Sequence, residues 1–260
     1  MGTSKSYGSP RWPGVNPAVS DAATSGGFNQ EMVDAVGAFA KAYKGHLKYG
    51  TPAASSGSQQ HGRGSRASTG GRGGGGGGTA RVRSAISGSK LANFIGTVKS
   101  SSLNEALQKF NLLEIRDKPL EEFLVSLSDL LSGDGALLDD DALNHAMAET
   151  VNQLAQDVDS VDDFETLLSS NNIDIETTLQ IFYANILACN FEQKEYSFVR
   201  EKIGRLETAN FFKNARNIIQ AIVREELSQE RDLSSIDWNS SEGQRIADEI
   251  NQEVLEILIP

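Results

Sequence analysis

The stretch DIETTLQIFYANILAC, residues 174–189, decides the fold class of this chain. Ile175, Leu179, Phe182, Ile186 and Cys189 recur at alternating steps of four and three, the spacing that lines side chains along one face of an α-helix. Asp174, just ahead, is a short acceptor of the kind favoured at a helix N-cap. The same period returns downstream in Phe211, Ala215, Ile218 and Ile222, which predict a helix from about Thr208 to Leu227. A last helix starting near Ser241 carries Ile246, Ile250, Val254, Ile257 and Leu258.

Upstream the pattern is equally helical. Val82, Ile86, Leu91, Phe94, Ile95 and Val98 predict a helix, interrupted near Ser87-Gly88-Ser89. Ser102 followed by Glu105 forms a capping box ahead of Leu107 and Phe110. Asp117 and Pro119 open a helix through Phe123, Leu127 and Leu131, which Gly133 stops. The stripe Leu143, Met147, Val151, Leu154 and Val158 follows the acidic start Asp139 to Asp141, and Ser160 caps a short helix around residues 162–168. No stretch alternates with period two between hairpin turns, so little or no sheet is expected. The fold class is therefore all-α: an irregular helical bundle over residues 79–260, preceded by a disordered N-terminal tail and a Gly-rich linker.

Before residue 79 three segments separate. Residues 1–27 are rich in Gly, Ser, Pro and Ala, with too few apolar side chains to offset ordering entropy, and are expected to be a flexible tail. Residues 28–49 carry Met32, Val36, Phe39 and Tyr43 at steps of four, three and four. Such a short amphipathic helix is marginal alone, so its stripe docks either on the later domain or on a partner. Residues 50–78 read as a Gly/Ser/Arg-rich disordered linker that gives the terminus reach.

The net charge of −11 conceals an asymmetry: residues 1–99 hold 12 Lys/Arg against 3 Asp/Glu, and the remainder 12 against 32. A basic arm on an acidic body contacts nucleic acid or an acidic partner, or folds back on the body itself. Arg63, Arg66 and Arg72 among glycines resemble a segment that binds single-stranded nucleic acid, yet His61 is the only ring there for stacking. No apolar run approaches the ~20 residues of a membrane span, and no signal peptide is visible. With one cysteine, Cys189, no internal disulfide forms. A cytoplasmic protein is expected.

Enzymatic chemistry finds little support. His46, His61 and His145 lie in separate segments without ligand spacing, so no metal and no cofactor are expected. The runs Asp139–Asp141 and Asp157 to Asp163 lack the glycine of a calcium loop and read as helix-capping acids. The glycine run Gly73–Gly78 has no following Gly-Lys-Ser/Thr and is no phosphate loop. Cys189 sits on an apolar face and reads as core.

The N-terminus, Met1-Gly2-Thr3-Ser4-Lys5-Ser6-Tyr7-Gly8, stands apart. Loss of Met1 would bare a Gly2 amine with a pKa of ~7.7–8.0, against ~10.4 for lysine, so a useful fraction is nucleophilic at neutral pH. Met-Gly with Ser6 also fits the short N-myristoylation pattern, with Lys5 as a basic neighbour.

This start, the nearby Gly8-Ser9-Pro10, the glycine-rich linker, Thr79-Ala80-Arg81 opening the body and an acidic helical remainder resemble the QatB family of bacterial Qat anti-phage defence systems. The resemblance runs the full length, but its specificity lies in the terminal residues; glycine here replaces the long proline-rich linker of some relatives. It implies an operon with an ATPase of QatA type, a QueC-like enzyme of QatC type and a TatD-like nuclease of QatD type. QueC-type enzymes activate a carboxy-deazaguanine with ATP and join its acyl group to an amine. The resemblance thus implies a non-enzymatic partner whose Gly2 is modified, with Thr3, Ser4, Lys5, Ser6, Tyr7 and Gly8 recognised by the enzyme. The alternatives are a scaffold bridging the ATPase and other components, and a nucleic-acid-binding adaptor.

Overall fold

The computed structural model describes residues 14–26, 29–49, 76–133, 138–170, 173–227, 231, 233 and 235–260. Among them are nine α-helices, one short 3-10 turn at Leu113–Ile115, and no strand. The helices are α1 (Asn16–Thr24), α2 (Asn29–Tyr49), α3 (Gly76–Ser100), α4 (Leu103–Lys109), α5 (Leu120–Ser132), α6 (Leu138–Leu154), α7 (Val161–Ser169), α8 (Ile175–Glu226) and α9 (Ser241–Ile257). The all-α expectation holds.

Local chemistry sets the helix starts. The Ser102 Oγ accepts the Glu105 N–H at 3.2 Å, the Ser160 Oγ that of Asp163 at 3.1 Å, and Asp174 Oδ2 that of Thr177 at 2.7 Å. Each satisfies an amide that the helix itself leaves unpaired. Ser240 does the same for α9 through the Gly243 N–H. Gly133 ends α5 at φ 89°, a left-handed backbone suited to glycine.

One element is a hairpin. At Gly204 (φ 79°, ψ 169°) α8 leaves helical geometry, and the two arms, 175–203 and 205–226, fold back on each other. The Gln220 amide donates to Asn185 Oδ1 at 2.9 Å. Nearer the turn, the rings of Phe191 and Phe212 meet edge-on at 5.6 Å, and Tyr196 stacks on Phe212 at 6.2 Å. Two helices were expected here, and the glycine that separates them reverses the chain within a single residue.

Helix α3 runs through the centre and touches α2 and every helix from α4 to α9. It is continuous across Ser87-Gly88-Ser89, where an interruption was expected. The small residues are there for close approach. A Cβ on Gly88 would fall 3.0 Å from Tyr183 Cζ and closer still to its hydroxyl. Ser87 Oγ donates to the Ser132 carbonyl at 2.9 Å and Ser89 Oγ to that of Trp238.

Two further corrections concern the segments before the body. Residues 14–26, expected in the flexible tail, include α1, with Pro17 in its first turn and Val15, Val19, Ala22 and Ala23 buried in the common core. Small side chains suffice because α1 packs into the angle between α2 and α8. The last three residues assigned to the linker, Gly76–Gly78, form the first turn of α3.

Candidate functional site

Residues Gly2 to Gly8 lie outside the described residues, so the structure bears on them through what holds the chain that follows. Val15 and Val19 are fully buried; burying such a side chain is worth about 1.5–3 kcal/mol. Helix α2 is fastened more firmly. Met32, Val36, Phe39 and Tyr43 are all buried, against the body and not against an outside partner. Phe39 packs on Phe191 with ring centroids 4.9 Å apart, and the Asn190 amide donates to the Tyr43 hydroxyl at 3.3 Å.

Charge and backbone add to this clamp. Lys44 meets Glu256 of α9 at 2.7 Å. Gly37 lets the C-terminal segment lie against α2: a Cβ there would fall 2.7 Å from Pro260 Cδ and 3.0 Å from the Leu258 carbonyl oxygen. Both ends of residues 50–75 therefore join helices packed on one body, since α2 touches α3, α8 and α9. The linker does not lie between the terminus and the body, so the expectation that it supplies reach to the terminus is corrected.

The other candidates serve the fold. Cys189 is buried beside Arg216, whose Nη2 stands 4.0 Å from Sγ. Burial pushes the thiol up to about 11, with Arg216 pulling it down and Glu149 and Glu192 raising it further. The guanidinium is itself engaged by Glu149 at 2.9 Å, so the thiol stays protonated at neutral pH and is a poor nucleophile. His145 lines a cavity of about 440 Å³ with Cys189, Asn144 and Arg216.

The acids around residue 160 have structural partners. Asp162 pairs with Arg116 at 2.5 Å, and the Ser160 hydroxyl donates to Asp163 Oδ2 at 2.6 Å. Among the described residues no group of three or more His, Cys, Asp or Glu is placed to hold a metal. No described helix is long and apolar enough to cross a membrane. His61, Arg63, Arg66 and Arg72, like the side chains of Asp139 and Asp140, lie outside the described residues.

Sequence reasoning missed α1, although Pro17 and the steps of four and three through Val15, Val19 and Ala22 were legible. It also missed the tie of Arg231 to Glu176 at 3.3 Å and to Glu253, which no local spacing announces. Glu176 is buried, and desolvation raises its pKa against the pull of Arg231.

Comparison with known proteins gives one positive result. A family model described as QatB, Qat anti-phage system associated protein QatB, matches residues 73–258. No curated protein and no solved structure matches the chain.

Proposed function

Because the chain belongs to the QatB family and is thus a component of a Qat anti-phage defence system, we propose that it serves that system through its first residues. It is a cytoplasmic, non-enzymatic partner of a QueC-like enzyme of QatC type, and its Gly2 amine is the enzyme's substrate. ATP activates the carboxylate of a 7-deazaguanine acid; the Gly2 nitrogen attacks the acyl carbon, the activating group leaves, and loss of a proton yields an amide. Thr3, Ser4, Lys5, Ser6 and Gly8 supply hydrogen bonds and close approach, and Tyr7 an aromatic anchor.

The observation that carries this reading is the clamp just behind the terminus. Gly2 stands 13 positions before the buried Val15, so its amine extends at most about 45 Å from that anchor at ~3.3–3.6 Å per residue. A body docked on the enzyme, or on a QatA-type ATPase or QatD-type nuclease beside it, thereby presents the amine at high effective concentration. The one thiol, Cys189, is held protonated at neutral pH by its burial.

Intact and N-terminal peptide masses of the protein purified with its neighbouring gene products test the reading. The expected product lacks Met1 and carries an added mass on Gly2 only when the QueC-like neighbour is active. An unmodified Gly2 with partners still co-purifying would overturn it in favour of a scaffold. That second reading has its own observation: Leu206, 85% exposed at the tip of the α8 hairpin, is an apolar knob free for a partner. Deleting residues 1–10 separates the two, since a scaffold keeps assembly and protection.

A further inference from the structure

A cleft of about 510 Å³ opens where the end of α3, the last residue of α4, the start of α8 and the connection between α8 and α9 meet. Its volume is that of sites for small molecules. We propose that this cleft binds an organic phosphate, the phosphate oxygens lying between Lys99 and Lys109 and the attached ring against Ile175, Ile236 and Trp238.

The two amines carry the argument. On a body with an excess of carboxylates, this cleft gathers two amines, while its one guanidinium, Arg231, is already paired with acids. Lys99 and Lys109 line the cleft and make no ion pair with any described residue. The Lys109 ammonium is held by the Thr97 hydroxyl, at 3.2 Å; a neutral acceptor fixes its position, leaves its charge whole and keeps two of its three protons free. Such compact cations are common phosphate binders.

The cleft holds two other charged groups, of which the Asp174 carboxylate keeps its negative charge while it caps α8. Arg231 is tied to Glu176 and Glu253. The acidity of the body as a whole acts weakly here, since charges are screened within ~8 Å at physiological ionic strength. The lining also has an apolar part, Ile175, Leu233, Ile236 and Trp238, and Asn93, whose amide donates to Asn239 Oδ1 at 3.3 Å, adds a polar group for a ring edge. Gly96 leaves space in the lining: within 4 Å a Cβ there would meet only Ile175 Cδ1, at 3.7 Å.

Trp238 is a built-in reporter, because the chain has two tryptophans and Trp12→Phe leaves it alone. The full-length Trp12→Phe protein is titrated with AMP, ATP, a short 5′-phosphorylated single strand and inorganic phosphate. Emission is followed, and calorimetry repeats each titration. A saturable response to AMP, ATP or the strand supports the proposal; preference between mononucleotide and strand tells a free metabolite from a nucleic-acid end.

Binding weakens at least about tenfold in Lys99→Gln/Lys109→Gln, a change of ~1.4 kcal/mol. It is abolished in Gly96→Leu, whose side chain fills the cleft. Both variants keep the melting temperature of the parent, which separates loss of the site from loss of the fold. The proposal is overturned by no saturation with any probe up to about 10 mM, well beyond the millimolar Kd that corresponds to ~4 kcal/mol. Binding unchanged in the double lysine variant, or a response to inorganic phosphate alone, also overturns it.

Discussion

Replacing Gly88 by alanine should destabilise the protein, although helix propensity alone argues the reverse. In the middle of a continuous α3, Gly→Ala is worth about 0.8–1 kcal/mol in favour of the folded state. Against this stands the new methyl group, which falls 3.0 Å from Tyr183 Cζ and nearer its hydroxyl, in a place where Tyr183 is only 1% exposed. Overpacking a core costs about 1–3 kcal/mol. Pushing the hydroxyl from the Ser84 carbonyl, which it reaches at 3.5 Å, adds up to about 1–3 kcal/mol for a buried polar group left unpaired.

The net expectation is a loss of about 2 kcal/mol, or a melting temperature lower by roughly 4–8 °C for a domain of this size. Urea denaturation followed by far-ultraviolet circular dichroism measures it. Gly45→Ala is the control: it too lies within a helix, but a Cβ there meets nothing within 4 Å, so it should stabilise by about 0.5–1 kcal/mol. Adding Tyr183→Phe to Gly88→Ala removes the oxygen closest to the new methyl and should recover part of the loss, a coupling of about 1 kcal/mol. If Gly88→Ala proved as stable as the parent, α3 would not lie on Tyr183 as described, and a helix break at Gly88 would be the better account.

Four further outcomes follow from the structure. Deleting residues 60–69 should leave Gly2 labelling unchanged and raise stability by no more than about 0.6 kcal/mol through the shorter loop; deleting residues 9–13, which removes about 17 Å of contour, should reduce labelling in the same mass assay. Val19→Asp should undock α1 at a cost of about 3 kcal/mol or more, since it buries an unpaired charge, and expose residues 14–26 to limited proteolysis. Cys189 should resist thiol reagents at pH 8 until the protein unfolds. Its folded pKa of about 11 lies above the unfolded value, so its contribution is complete below about pH 9 and lost as pH rises through 11, by up to about 2–3 kcal/mol; comparing Cys189→Ala with the parent across that range isolates it. Arg231→Ala should cost about 1–3 kcal/mol, since the buried Glu176 loses the guanidinium at 3.3 Å but keeps the backbone N–H of residue 231 at 2.8 Å, with partial rescue by Glu176→Gln.

What was legible in the sequence is what depends on near neighbours. The apolar period of residues 175–189 and the caps at Ser102, Ser160 and Asp174 act within one turn of helix, so spacing alone exposes them. What stayed hidden depends on contacts between distant residues. The glycine at 88 looked like a break because propensity assigns it a cost, while its reason, Tyr183, lies 95 positions away. Helix α1 was read as tail because alanines and two valines bury little area by themselves; only a groove already formed by α2 and α8 makes them sufficient. Of the candidate site, the α2 stripe was visible but its partner was not, and the convergence of Lys99, Lys109 and Trp238 on one cleft has no trace in local pattern.

Both ends of the segment from residue 50 to residue 75 are rooted in the same core, and this changes what covalent continuity does for the molecule. The pieces on either side are held together by Phe39 on Phe191, Tyr43 with Asn190 and the bed that Gly37 offers to Pro260. A protease nick between them would leave a two-piece assembly that still migrates as one particle, and the front piece could be supplied from a separate gene. The segment is therefore a place where a tag, a cleavage site or a whole inserted domain can be carried without disturbing the helices that meet behind it.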